Sequence, residues 1–248
     1  MNTLPPGPGA FALLALSVLC ACDAGASRRP LRVFAAASLA APFTALERAF
    51  EASHPGLDVQ CNFAGSPQLV LQIEQGAAAD VFAAADVVNM AKVQASGKAV
   101  GEPRRFARNR LAIVVAAGNP RAIQGLGDLA RDGCKVALCG PEVPAGRYAR
   151  QALAKAKVAV RSLSDEPNVH ALVTKVRLGE LDAGIVFQTD CTATGIAAVA
   201  IAAEHQVVAD YPITTLTAAA AVEAAAFVDF VLSPSGQQVL AAHGFQAP

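Results

Sequence analysis

One kind of turn recurs along this chain: an apolar run ends on small residues or a hydroxyl, and helical periodicity begins at once. It follows Ala37, where Leu31-Arg32-Val33-Phe34-Ala35-Ala36-Ala37-Ser38 gives way to Phe43, Leu46 and Phe50 at i, i+3 and i+7, with Pro42 suited to a first helical turn. It follows Phe63, where an alternating run at 57–63 ends in Ala64-Gly65-Ser66-Pro67 ahead of Leu69, Val70 and Ile73. There Ser66 reads as a hydroxyl N-cap with proline at the first helical position. It returns at Pro144-Ala145-Gly146 and at Asn168-Val169, where Val169, Leu172, Val173 and Val176 make an i, i+3, i+4, i+7 stripe. Strands that pass straight into helices at this spacing imply βαβ units and a parallel sheet.

A helix start leaves backbone N–H groups without intrahelical partners and suits an anion. For Ser38 taken alone, a simple N-cap is the plainer reading. In open α/β sheets, however, the ligand crevice lies beyond the carboxyl ends of the strands. Two such layers facing each other aim several helix starts into one cleft, giving a neutral, donor-rich anion site without lysine or arginine.

Two groups of βα units fit the chain. Residues 80–85 read as a third strand and 86–96 as its helix, and the apolar strand 111–116 stops at Gly118-Asn119-Pro120. The rhythm then restarts, with strands expected at 135–139, 158–163 and 183–187, and the chain expected to cross back near Tyr211-Pro212-Ile213. Helices at 222–232 and 235–242 complete the count. The expectation is an α/β, two-lobed, hinged fold: 31–113 with 212–248 form one lobe and 114–211 the other, each a mostly parallel sheet flanked by helices.

Twenty basic residues balance twenty acidic ones among 248, which argues against a nucleic-acid groove or a polybasic membrane surface. Residues 11–19, FALLALSVL, are too short to span a bilayer and suit a signal-peptide core. Leu19-Cys20-Ala21-Cys22 then looks like a bacterial lipobox, so residues 1–21 are expected to be cut away and Cys22 lipidated, although residues 1–10 carry no lysine or arginine. A plain secretory signal is the alternative; either way the mature chain works outside the cytoplasm, with 22–30 as a tether. Cys61, Cys134, Cys139 and Cys191 remain, in a compartment that permits disulfides. Cys139–Cys191 is the favoured pair because both follow strands expected to be neighbours; buried free thiols are the alternative.

Catalytic signatures are missing. The sequence holds no Gly-x-Ser-x-Gly, His-Glu-x-x-His or Cys-x-x-Cys, its four histidines lack ligand spacing, and Asp165-Glu166 reads as solvated charge. A non-enzymatic binding protein without a cofactor is the expectation.

Val33-Phe34-Ala35-Ala36-Ala37-Ser38-Leu39 resembles the opening of periplasmic molybdate-binding proteins, the solute receptors of molybdate ABC transporters. Ala79-Asp80-Val81-Phe82, Pro141-Glu142-Val143-Pro144-Ala145-Gly146 and Gly184-Ile185-Val186-Phe187 through Asp190 resemble later motifs of that family, in the same order. The resemblance covers nearly all of the mature chain. It implies a tetrahedral oxyanion, molybdate or tungstate, clamped between two lobes and handed by a monomeric receptor to a membrane permease. Matched by position, Ser38 and Ser66 would each give hydroxyl and backbone N–H, and Ala145 and Val169 backbone N–H. The family tyrosine that would add another hydroxyl is Phe187 here; Tyr148, Gln188, Thr189 or a water would have to replace it. A site of neutral donors takes the deprotonated anion and separates it from sulfate by size. Sulfate or another oxyanion on the same fold is the nearest alternative, and an effector-sensing module of a transcription regulator a more distant one.

Overall fold

The computed structural model describes residues 1–3, 29–216 and 220–248. The signal-peptide and lipid-anchor readings, Cys22 included, lie outside the described residues.

The first βα turns form as expected. β1 (Leu31–Ala36) passes through a 3-10 turn (Ala37–Leu39) into α1 (Ala40–Ser53), which buries Pro42, Phe43, Leu46 and Phe50. β2 (Val59–Ala64) leads to α2 (Ser66–Glu74), and β3 (Val81–Ala83) to α3 (Val87–Ala95), capped by the Asp86 carboxylate accepting the Asn89 N–H. β4 (Ala99–Ala116) follows, then β5 (Val136–Cys139), α4 (Pro144–Lys155), β6 (Asp165–Glu166) and α5 (Val169–Arg177). β7 (Ala183–Phe187), β8 (Ile196–Ala200), β9 (Val208–Leu216), α6 (Ala221–Leu232) and α7 (Pro234–Ala242) complete the chain.

The strands run β2-β1-β3-β9-β4-β7-β5-β6, with β8 beside β4. β1 is parallel to β2 and β3, and β5 to β6 and β7, so each end of this order is a parallel group. The middle is antiparallel. β4 pairs with β9 from Ala99↔Leu216 to Arg110↔Val208, then with β7 and β8 from Leu111 onward. One 18-residue strand thus serves both groups. The expected division points at 113 and 211 fall inside β4 and β9, which run through them unbroken.

Side chains alternate across a strand, so β1 feeds two cores. Val33 and Ala35 join the large cluster with Phe43, Phe50, Phe106 and Phe227, while Phe34 joins Leu69, Ile73, Phe82 and Met90 under α2 and α3. Phe43 stands edge-on to Phe106 at 5.7 Å and Phe50 to Phe227 at 5.2 Å, tying α1 to β4 and α6.

Two expectations are corrected. The run 158–163 is not a strand: only its end touches β5, through Leu163 N–H to the Val136 carbonyl (2.8 Å) and the Ser162 hydroxyl accepting the Leu138 N–H (3.0 Å). The edge strand lies two residues later, at β6. Tyr211, where the chain is expected to cross back, lies mid-strand in β9, opposite Ala107, and β9 reaches β3 from Ile213 onward. Cys139–Cys191 does not form; both thiols are free. β5 and β7 are indeed neighbours, but Cys191 sits in the 3-10 turn after β7 (Gln188–Thr192) and its thiol turns back toward the Phe187 carbonyl. Burial pushes the Cys191 thiol up to about 12, so this partly buried group forms little thiolate.

Candidate oxyanion site

Although β2 and β6 are opposite ends of the strand order, the turns that follow them touch. A Cβ on Gly65 would stand 2.4 Å from the Pro167 carbonyl oxygen. The sheet is therefore folded over, and the carboxyl ends of its two parallel groups face each other.

Between them lies a small cavity of about 10 Å³, roughly the room one water-sized sphere needs. Its walls come from five turns: Ala36-Ala37-Ser38, Gly65-Ser66, Ala85, Val143-Pro144 and Asn168-Val169, with Phe187 at the end of β7. No lining residue is charged. Ser66, Pro144 and Val169 are the first residues of α2, α4 and α5, so these helices direct their starts, with N–H groups and positive dipole ends, at the cavity.

Of the positions singled out from sequence, Ser38, Ser66, Val169 and Phe187 line this cavity, and Ala145, 1% exposed, follows the lining Pro144. Neither serine is the N-cap it resembles. Gly65 holds that position at α2, and the Ser66 hydroxyl instead accepts the Ala85 N–H at 3.3 Å. Ser38 sits inside the 3-10 turn without a side-chain capping bond, its Oγ 3.1 Å from the Tyr211 hydroxyl. Tyr148, Gln188 and Thr189, the suggested substitutes for the family hydroxyl, do not line the small cavity. Gln188 and Thr189 face a larger, adjoining space of about 580 Å³ that also reaches Ser38, and Tyr148 packs edge-on to Phe187.

Sequence reasoning missed Tyr211, Asn109 and Asp190. Tyr211 is fully buried and edge-on to Phe187, ring centroids 5.5 Å apart. The chain has only two tyrosines, so weighing both would have raised it. Burial pushes the Asp190 carboxyl up to about 7, against the Phe187 N–H that it accepts at 3.2 Å.

Polar contacts clasp the two sides beside the cavity. Arg147 Nη1 on α4 donates to Asp86 Oδ2 at 2.6 Å, and Asn89 Nδ2 on α3 donates to the Glu142 carbonyl at 3.3 Å. Burial raises the Asp86 carboxyl, while the Asn89 N–H groups and Arg147 pull it down. The exposed Lys92–Glu142 pair at 3.2 Å adds little. Among the described residues, no three His, Cys, Asp or Glu side chains are grouped to hold a metal ion, and no helix is long and apolar enough to cross a membrane.

Residues 31–246 match the family model for bacterial extracellular solute-binding protein, and the chain belongs to that family. Within it, the chain is 39% identical over 224 residues to the molybdate-binding protein ModA of Mycobacterium tuberculosis, spanning 89% of this chain and 85% of that one. It shares its fold with the periplasmic molybdate-binding protein of Azotobacter vinelandii (TM-score 0.76, 20% identity, 88% of this chain and 99% of that one). The sulfate-binding protein SubI of M. tuberculosis has the same fold (TM-score 0.78, 18% identity, 88% and 86%). The chain is therefore a two-lobed extracellular binding protein of the transport class.

Proposed function

We propose that this chain captures molybdate, and tungstate with it, between the turns that wall the small cavity and delivers it to an ABC permease. The carrying observation is that five turns from opposite ends of one sheet meet around a neutral space at three helix starts. Ser38 and Ser66 give hydroxyl and backbone N–H, Ala145 and Val169 backbone N–H. The lobes are 31–113 with 212–248 and 114–211, hinged where β4 pairs β9. No catalytic group or cofactor is needed; the protein binds and releases as a monomer tethered through a lipidated Cys22. Cys22→Ala is expected to move it from the membrane to the soluble fraction on cell fractionation; an unchanged distribution removes the anchor.

Calorimetry of the mature protein with molybdate, tungstate and sulfate tests the reading. Similar binding of the first two and weak or no binding of sulfate is expected, since fixed donors separate like-shaped dianions by size. Heat with none of them overturns it. Sulfate as the tightest ligand would favour the second reading, which the missing hydroxyl at Phe187 supports. Because Phe187 lines the cavity, Phe187→Tyr should restore a donor and tighten molybdate binding about tenfold, the worth of one hydrogen bond to a charged group. Unchanged affinity would mean that the para position of the ring misses the anion.

A further inference from the structure

We propose that Tyr211 is a positioning residue: its hydroxyl donates to Ser38 Oγ and thereby turns the single Ser38 proton toward the anion. The proposal rests on the oxyanion reading above. Tyr211 is not among the lining residues, so it acts through Ser38.

The direction of the Ser38–Tyr211 bond decides whether Ser38 helps or hinders. Either oxygen could donate across the 3.1 Å between them. If Ser38 donated to Tyr211, it would present only lone pairs to the cavity and repel an anion. If Tyr211 donates, the serine proton is free for the anion.

Asn109 sets this direction. It is 1% exposed on β4, and its Oδ1 accepts the Arg110 backbone N–H at 2.9 Å. A backbone N–H can only donate, so the amide cannot be reversed without putting two donors together. The Nδ2 side therefore faces Thr189 Oγ1, at 2.8 Å, and its N–H groups act on the Tyr211 phenol, pulling its pKa down against burial. A donor rather than an acceptor on that side leaves Ser38 Oγ as the partner for the Tyr211 proton. Burial and the neighbouring Asp190 charge hold the phenol well above its ordinary pKa, so that proton stays in place.

A backbone amide thus fixes Asn109, Asn109 orients Tyr211, and Tyr211 orients Ser38 at the cavity wall. Phe187 completes the arrangement as an apolar edge against the Tyr211 ring. With no hydroxyl at 187, the orientation of the Ser38 proton carries more of the binding.

Molybdate is titrated calorimetrically into wild type, Tyr211→Phe, Ser38→Ala and the double variant. Tyr211→Phe should weaken binding about tenfold, Ser38→Ala more, and the double variant no further than Ser38→Ala. Equal losses from Tyr211→Phe in both backgrounds would mark a merely structural role and overturn the proposal, as would wild-type affinity in Tyr211→Phe. Should Tyr211→Phe fail to fold, Asn109→Ala keeps the tyrosine but removes the group that orients it. A several-fold loss confined to the Ser38 background is then expected, and no loss overturns the proposal. Absence of molybdate binding by wild type overturns instead the oxyanion reading beneath it.

Discussion

Replacing Gly65 by alanine is expected to leave the chain folded but weaken molybdate binding at least about a hundredfold. Gly65 has φ −59° and ψ 138°, a conformation open to any residue, so the backbone carries no penalty. Its side is what matters. The added Cβ would lie 2.4 Å from the Pro167 carbonyl oxygen, a backbone atom on the facing turn that no rotamer change can move. Ordinary van der Waals contact requires the turns to part by about 1 Å, which stretches the hydrogen bonds an anion makes to one side. Each bond to a charged group is worth about 1.5–3 kcal/mol, and losing two gives the stated factor. The unliganded protein can open to relieve the clash, so its melting temperature should hardly change, while its rise with saturating molybdate should shrink by about 2.7 kcal/mol of stabilisation. Binding within threefold of wild type would show that the contact is not part of the ligand-bound state.

Gly65 was legible as part of a turn but not as a contact, and that divides the site as a whole. A βα turn is local: apolar run, small residues and helical stripe lie within about twenty residues, so the turns around Ser38, Ser66, Ala145 and Val169 could be read directly. The distant encounters could not. The Ser38–Tyr211 bond spans 173 positions, and the strand Tyr211 belongs to is paired antiparallel on both sides. Only the apolar final third of β4 is legible in the sequence, because Glu102, Arg104, Arg105, Arg108 and Arg110 look like a polar connection. The arginines lie on a half-exposed strand paired with β9, where Arg105 and Arg108 reach Asp210. The cysteine pairing failed for a related reason. Neighbouring strands were inferred correctly, but the direction of Cys191 depends on a 3-10 turn that no periodicity signals.

Gly146→Ala is expected to cost on the order of 3 kcal/mol of stability, and the sign of this change is the instructive part. Alanine is the better helix former by about 1 kcal/mol, and Gly146 lies in the first turn of α4, so propensity alone predicts a gain. Packing opposes it. A Cβ there would stand 2.2 Å from both the Cys139 and the Gly140 carbonyl oxygens, because the start of α4 rests directly on the end of β5. The Cys139 carbonyl cannot yield freely, since it accepts Arg150 Nη1 at 2.7 Å. The helix start must lift, and with it the Ala145 N–H offered to the anion, so affinity should fall as well. For a domain this size the melting temperature should drop by on the order of 10 °C. Gly127→Ala is the control: it lies in the 3-10 turn Leu126–Ala130 with open space around its Cβ, and should stay within about 0.5 kcal/mol of wild type. A Gly146→Ala protein that melts at or above the wild-type temperature would mean that α4 slides off the strand end at no cost. The placement of its amides at the cavity would then owe nothing to this contact.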